Sequence, residues 1–280
     1  MNKLIRCMGL IALIMAYPLN ANETDSNDWD MKFTPYLWAL GLDGDTGVGT
    51  LDADLDIGFD ELIENLNFVF MGHLAATRDD WTFYIDGLFS NLSSDGFDTK
   101  KVGPFNIGRF TVGPFRASLE TEIKLTMNMI EVGAQYRVGE WPFGTSGRTW
   151  SLDLLGGGRY TILKTDLNFR ASGSGKLGLS RSGTASLEED WIDPYIGTQV
   201  QMNITPKWDL LLHGDFGGFG VGSDFTWNAF GIFSYAWRED KRLILGYRGL
   251  YQDYESGSGA NRFDWDMTYY GPVAAIEFAF

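Results

Sequence analysis

The sequence predicts a transmembrane antiparallel up-and-down β-barrel of about ten strands. Polar and apolar residues alternate over ten or more positions along most of the chain, aromatic residues cluster at the ends of these segments, and short turns alternate with long loops. Beyond the N-terminus, no apolar run approaches the roughly 18 residues of a transmembrane helix.

The N-terminus predicts a secretory signal peptide over residues 1–21, with the barrel domain over residues 22–280. Lys3 and Arg6 precede the apolar run 8–16, and residues 19–21 form a plausible cleavage site. Cys7, the single cysteine, lies in this segment, so the mature protein is expected to have no thiol, disulfide or cysteine metal site. Removing the two basic residues changes the net charge from −15 to −15 − 2 = −17, which argues against a nucleic-acid partner.

The position of the aromatics separates a membrane barrel from a soluble β-sandwich, which also alternates. In "WTFYIDGLFS", residues 81–90, the odd positions are apolar or Gly and most even positions are polar. Aromatic residues begin the upward strands or end the downward strands, which predicts one girdle at a membrane interface. The residues of this predicted girdle are Trp29, Trp81, Trp150, Trp208, Tyr136, Trp237 and Phe280.

Short turns at one end of the barrel alternate with long or Gly-rich loops at the other end, and together they set the bounds of the predicted strands. Their expected ranges are 30–42, 67–79, 81–93, 119–138, 148–169, 188–204, 208–216, 225–237, 241–254 and 264–280. Residues 47–58 alternate as well, so twelve strands is the alternative. We place 47–58 in the first outer loop as a strand extension, followed by a short helix over residues 60–66, because this preserves the pattern of short periplasmic turns and long outer loops.

The strand 119–138 changes phase within its length. Glu120, Glu122 and Lys124 share a face, but Glu131 and Gln135 fall on the opposite parity. A β-bulge near Met129 and Ile130 is the predicted cause.

The chain ends in mid-strand with "YYGPVAAIEFAF", which predicts Phe278 and Phe280 on the lipid face and Glu277 inside. This ending resembles the C-terminal signal by which the barrel assembly machinery recognises outer-membrane proteins. The alternative is a last strand that simply ends at the girdle.

Several sequence segments resemble those of an uncharacterised family of proteobacterial outer-membrane β-barrels. They are "TPYLWALGLDGD", "DPYIG" at 193–197, "GDFGGFGVGSD" at 214–224, "LGYRGLYQDY" at 245–254 and the terminal "GP…F". The resemblance implies the fold and the outer-membrane location, and it implies no reaction or ligand.

Alternation places a set of polar residues inside the barrel. Because barrels of this size are mostly filled by side chains whose charges pair, we expect a structural ion-pair network. Its predicted members are His73, Asp86, Glu131, Arg159, Asp193, Gln199, Gln201, His213, Asp215, Arg248 and Glu277.

The sequence feature that most favours an enzyme is "HGD", which places His213 and Asp215 on one face. Omptin proteases are ten-stranded and use a histidine with acidic residues, so a hydrolase around these two residues is the alternative function. His213 lies roughly 12 Å above Trp208, in mid-membrane, and His73 is expected on the opposite wall about 20 Å away. We therefore predict no catalytic, metal or cofactor residues.

The tightest hairpin predicts one contact in detail. A two-residue turn at Asp79 and Asp80 pairs Arg78 with Trp81, which places His73 opposite Asp86 with both inside the lumen.

The outer loops give weaker signals. Eight acidic residues between Asp43 and Glu64 could bind Ca²⁺ or Mg²⁺, but their spacing is not that of an EF-hand and favours a solvated acidic face. "VGPF" occurs at 102–105 and again at 112–115, which is consistent with a hairpin above the membrane.

The expected function is a narrow pore or a structural barrel in the outer membrane of a Gram-negative cell. The expected partners are outer-membrane lipid, lipopolysaccharide and the barrel assembly machinery.

Overall fold

Ten antiparallel strands close into a barrel in a computed structural model of the chain. The structure describes residues 29–280 except 50, 61, 63–65, 96–105, 108–109, 112–116, 145–146 and 174–179. The predicted signal peptide and both VGPF segments lie outside the described residues. No helix in the described part of the chain is long and apolar enough to cross a membrane.

The ten barrel strands pair antiparallel in the order of the chain, and the first closes the barrel by pairing with the last. Two further strands extend this sheet, and two short ones form a separate sheet. In chain order, the strands are β1 Asp30–Trp38, β2 Gly41–Val48, β3 Leu51–Ile57, β4 Leu66–Arg78, β5 Trp81–Asp95, β6 Asn106–Ile107, β7 Phe110–Thr111, β8 Ala117–Phe143, β9 Arg148–Gly173, β10 Ser180–Thr205, β11 Trp208–Gly218, β12 Phe225–Arg238, β13 Lys241–Ser256 and β14 Phe263–Ala279.

All ten predicted strands are present, although the first ends at Trp38, before the predicted residue 42, and β10 begins well before the predicted residue 188. Residues 41–57 form a hairpin, β2–β3, that extends the sheet above the barrel. β2 continues along β14 in the register of β1 after a break at Ala39 and Leu40. The sheet therefore has twelve strands, of which ten close the barrel.

Two local predictions need correction. Phe59, Asp60 and Leu62 are helical, but the predicted helix cannot reach residue 66, because Leu66 already opens β4. The predicted bulge near Met129 and Ile130 is also wrong, since β8 keeps one register with β5 and β9 there and shifts only between Arg137 and Gly139.

The change of phase in β8 has a different cause. β8 has 27 residues, whereas about 9–11 suffice to cross the membrane. Above the membrane the outward face meets water, so Lys124 is exposed, while Met127 and Met129 are buried inside. β9 and β10, with 26 residues each, project in the same way.

The lower end of the barrel carries the predicted aromatic girdle. Trp29, Trp81, Trp208, Trp237 and Phe280 expose 43–50% of their surfaces on the outside. Trp150 is half-buried because it stacks on Trp141, with ring centroids 4.7 Å apart.

The lumen is filled in layers. The lower part holds half-buried polar side chains such as Gln135 and Gln199. Above a middle layer of charges lies an apolar layer, which we define as the buried residues Tyr36, Trp38, Leu42, Leu62, Met71, Leu88, Met127, Met129, Leu163, Trp191, Leu250, Phe263, Trp265, Met267 and Tyr269.

Candidate functional site

The middle of the lumen is crossed by a connected set of ion pairs, which we call the ion-pair layer. It is formed by His73, Asp86, Glu131, Arg159, His213, Asp215 and Arg248.

Glu131 is the central acceptor of the ion-pair layer. Its Oε1 accepts a hydrogen bond from Nε of Arg159 at 2.9 Å and from Nη2 of Arg248 at 3.0 Å. Arg159 is the direct neighbour of Glu131 on the adjacent strand β9, whereas Arg248 comes from β13, so one carboxylate joins two neighbouring strands to a third one across the barrel.

Arg159 is fully buried and uses the whole planar fork of its guanidinium. Besides Glu131, it donates from Nη2 to Oδ1 of Asp215 at 3.0 Å and from Nη1 to Oγ1 of Thr226 at 3.2 Å. Its guanidinium carbon lies 5.1 Å from the ring centroid of Tyr195. A cation taken out of water needs such complete pairing, because an unpaired buried charge is strongly destabilising.

Asp215 is the second anchor of the layer. Its Oδ2 accepts from Nδ2 of Asn228 at 2.7 Å and contacts Nε2 of His213 at 2.9 Å. Because a carboxylate can only accept, Nε2 of His213 carries the proton. The imidazole stacks on Phe230 at 4.4 Å, and its Nδ1 has no hydrogen-bond partner among the described residues.

Asp86 completes the layer from the β4–β5 hairpin. It accepts from the hydroxyl of Tyr36 at 2.7 Å, faces Nδ1 of His73 at 3.3 Å, and lies 3.9 Å from Nη1 of Arg248. The predicted register of this hairpin is confirmed, since His73 pairs with Asp86 and Arg78 pairs with Trp81.

Two glycines make room for a tyrosine pair beside the layer. The hydroxyls of Tyr84 and Tyr195 are 2.8 Å apart, and they lie over Gly133 and Gly157 on the two strands between them. A Cβ on Gly157 would stand 2.7 Å from the hydroxyl of Tyr195, so a side chain there would collide with the pair.

Asp193 serves a different purpose from the one predicted. It is fully buried, but it binds the outer turn between β11 and β12, accepting from the backbone N–H of Ser223 at 2.6 Å and from its hydroxyl at 2.9 Å. Nε1 of Trp191 donates to the same carboxylate at 3.1 Å. Asp193 therefore pins a loop and does not pair with a cation of the ion-pair layer.

Three other predicted members lie apart from the layer. Gln199 donates to Gln135 at 3.4 Å in the lower part of the lumen. Gln201 is half-buried near the lower end, opposite Leu211 and Ser151. Glu277 contacts Lys32 at 3.9 Å and Arg242 at 3.6 Å near the lower opening. Alternation along a strand predicts which face a residue occupies but not its height in the barrel. The sequence therefore could not separate these residues from those of the ion-pair layer.

Sequence reasoning missed several neutral partners of the layer, notably Tyr36, Asn228 and Thr226. Each occupies an inward position, so alternation was the signal that could have found it. Three sequence segments described above contribute residues to the ion-pair layer and its partners. "TPYLWALGLDGD" contains Tyr36, "GDFGGFGVGSD" contains Asp215 and "LGYRGLYQDY" contains Arg248.

The acidic first loop forms part of a row of carboxylates on the outer face. Asp45 pairs across strands with Asp54 and with Asp266, and Asp266 pairs with Asp253. In the described ranges, no three His, Cys, Asp or Glu residues are grouped as metal ligands.

Comparison with known proteins supports the fold. No family model matches the sequence, and no curated protein matches it either. The outer-membrane protease OmpT of Escherichia coli is similar in structure, with a TM-score of 0.57 and 10% sequence identity over 92% of this chain and 99% of that chain.

Two further solved structures match with lower scores. The translocator domain of the autotransporter NalP from Neisseria meningitidis has a TM-score of 0.39 at 13% identity, covering 99% of this chain and 94% of that chain. Ail of Yersinia pestis has a TM-score of 0.33 at 9% identity, covering 90% and 98%. At 10% identity, the likeness to OmpT shows the β-barrel fold alone and nothing about activity.

Proposed function

We propose that this protein is a non-conducting structural barrel in the outer membrane of a Gram-negative cell, exported with its signal peptide and without catalysis. The observation that carries the proposal is Arg159, which is fully buried in mid-lumen and bonded to Glu131 and Asp215. A narrow pore would leave such a guanidinium in contact with water.

The apolar layer supports the same conclusion. Ions and small polar solutes would have to pass Leu250, Met267 and Tyr269, all with no exposed surface. Moving a charge through an apolar region without compensating contacts is strongly unfavourable. A closed barrel can still act as an anchor, here for the parts of β8, β9 and β10 that project beyond the membrane.

Single-channel recording in planar bilayers tests this proposal. We expect no reproducible conductance steps from the folded protein, with insertion measured separately by flotation with vesicles, so that silence cannot reflect failed insertion. A Glu131→Ala/Arg248→Ala double variant keeps the net charge and removes part of the ion-pair layer, but it should stay silent too, because the apolar layer still closes the lumen. Regular steps from the unaltered protein would show that it is a pore.

A hydrolase centred on His213 and Asp215 is the second candidate. It is favoured by the 2.9 Å contact between them and by Nδ1 of His213, which no described residue hydrogen-bonds. Against it, the His213 side chain is only 7% exposed and Asp215 is already bonded to Arg159 and Asn228. Release of fatty acid or peptide by the folded protein, abolished by His213→Ala, would replace the structural proposal with this one.

A further inference from the structure

The upper part of β10 has an uncovered edge. β10 has 26 residues, but its pairing with β11 begins only at Tyr195 and Gly217. Above that point the described strands pair with β10 only on the β9 side, where the ladder continues to Ser180 without a register shift. The β11–β12 turn bound by Asp193 covers the first residues of this stretch. The remaining residues, 180–190, are what we call the β10 edge.

The even-numbered residues present their backbone groups to the uncovered side. The carbonyl oxygen of Pro194 is 2.3 Å from the point at which Gly217 of β11 would carry a Cβ, so it points away from β9. The carbonyl oxygen of Tyr195 instead approaches Gly156 of β9. Backbone direction alternates along a strand, so the N–H and C=O groups of the even residues of the β10 edge point to the uncovered side.

Side chains in and next to the β10 edge fix its position from the lumen side. The ring of Trp191 stacks on that of Tyr254 of β13, with centroids 4.1 Å apart and planes at 8°. Oε2 of Glu189 accepts from the hydroxyl of Ser256 at 3.0 Å, and Leu187 packs against the apolar layer. The edge is thus held in place before any partner arrives, which lowers the ordering cost of binding.

The β10 edge lies outside the apolar band of the membrane. Gly217 is nine residues along β11 from the girdle residue Trp208. At about 3.3 Å per residue and a tilt near 40°, this is roughly 23 Å up a band about 25 Å tall. The outward side chains of the edge agree with this height, because Ser186, Glu188 and Asp190 are all polar and exposed.

Neither a proline nor a bulge interrupts the β10 edge. A long, regular row of unpaired N–H and C=O groups is a template for a further strand. The two faces of such a strand would meet different chemistry. Outside, the Glu188 side chain is 62% exposed beside Lys164, and Asp190 adds a second carboxylate. On the lumen side, Leu187 and Trp191 are apolar.

We propose that the β10 edge binds an extended segment of a partner protein at the cell surface, which adds to the sheet as an antiparallel strand. Basic side chains at alternate positions of that segment face Glu188 and Asp190, and apolar side chains at the positions between them lie beside Leu187. A second copy of this chain fits less well, because it would bring the same carboxylates to the edge. This inference goes beyond the structural role proposed above and does not depend on conduction.

Synthetic peptides test strand addition on the unaltered protein, folded in nanodiscs of uncharged phosphatidylcholine. The probe is a fluorescent peptide of about nine residues that alternates Lys and Val, and anisotropy measures its binding. In an antiparallel pair, opposite residues share a face and exchange both backbone hydrogen bonds. The Lys residues that face Glu188 and Asp190 therefore point their N–H groups at β10.

Two methylated peptides separate backbone pairing from charge attraction. Methylation of the Lys backbone nitrogens should weaken binding at least several-fold, whereas methylation of the Val nitrogens, which point away from β10, should leave it unchanged. Equal binding of the two methylated peptides, or no binding of the parent peptide, would overturn the proposal.

A matched pair of variants locates the peptide at the β10 edge. Ser186→Pro removes an N–H from the uncovered side and none from the ladder with β9, so the barrel should still fold. It should lower peptide affinity several-fold, whereas Ser186→Ala, which keeps the N–H but loses the same contact to Asp166, should not. Unchanged affinity in a folded Ser186→Pro protein contradicts the location.

A pair of charge variants tests the chemistry of the partner. Glu188→Gln/Asp190→Asn should lower the affinity of the Lys–Val peptide several-fold. Asp45→Asn/Asp54→Asn removes the same charge from the β2–β3 hairpin and should leave the affinity unchanged. Equal losses in the two double variants would mean that the peptide responds to net charge and not to this edge. Dimers of the unaltered protein that Ser186→Pro abolishes would assign the edge to a second copy, contrary to the proposal.

Discussion

His73 and Asp86 face each other across the β4–β5 hairpin, with Nδ1 of the histidine 3.3 Å from Oδ2 of the aspartate. The histidine side chain is 34% exposed and that of the aspartate 14%, so water from the lower part of the lumen reaches this end of the ion-pair layer. Asp86 also accepts from Tyr36, and therefore the histidine is not its sole partner.

For this reason His73→Ala should destabilise the barrel only modestly, by about 1 kcal/mol, as for a partly hydrated ion pair. The measurement is urea unfolding followed by heat-modifiable gel migration. Thr77→Ala, which removes the 2.9 Å contact to Thr82 on the same hairpin, is the matched control. A loss above about 3 kcal/mol would mean that the site is dry.

Arg159→Met should cost far more, about 3–5 kcal/mol, because Glu131 and Asp215 would remain buried without their shared cation. Arg159→Lys should rescue little of this, since an ammonium cannot reproduce the three contacts of the planar fork. Lys164→Met is the comparison, because Lys164 pairs with Glu188 on the exposed surface at 3.5 Å. Its expected cost is about 0–1 kcal/mol in the same assay, and equal losses in the two methionine variants would contradict the assignment.

Gly157→Ala should destabilise the protein by about 1–3 kcal/mol through overpacking against the tyrosine pair. The added Cβ would stand 2.3 Å from the carbonyl oxygen of Val132, so backbone must move. Gly156→Ala is the control, since a Cβ on this adjacent glycine meets nothing closer than 3.4 Å. Thermal unfolding of both variants compares them, and a Gly157→Ala protein as stable as Gly156→Ala would show that the pair needs no glycine.

Asp193→Ala should release the outer turn between β11 and β12, because Ser223 would lose both of its bonds to the carboxylate. The expected result is faster cleavage near Phe219 and Val221 by protease added to intact cells. Asp190→Ala, which removes the exposed acceptor of Tyr160, should leave this cleavage unchanged. Equal resistance of the Asp193→Ala protein would argue against the pinning role.

Phe280→Ser, or deletion of residue 280, should lower the folded outer-membrane yield without a comparable loss of secretion. Phe280 is 50% exposed at the end of β14, where an assembly factor could contact it. The inward neighbour Ala279, changed to Ser, is the control. The ratio of heat-modifiable to total protein measures the effect, and an unchanged ratio for Phe280→Ser would leave its aromatic ring without an assembly role.

The sequence by itself determined the strand order, the faces of most strands and the register of the tightest hairpin. Alternation has a period of two, so it fixes which residues point inward, and the two-residue turn at Asp79 and Asp80 fixed the His73–Asp86 pair without any tertiary information. The aromatic girdle could also be predicted, because successive strands place aromatic residues at the same membrane interface and so at a common height.

Beyond the tightest hairpin, only the tertiary structure decided which inward residues meet. Strand tilt and the stagger of the barrel bring Glu131, Arg159, Asp215 and Arg248 to one level from four strands, while Asp193 is raised to an outer turn and Glu277 lies near the lower opening. The early end of the β1–β4 pairing, at Pro35 and Gly72, was hidden for the same reason. It exists because β1 continues into β2 along β14, which is a property of how the sheet closes and not of either strand's sequence.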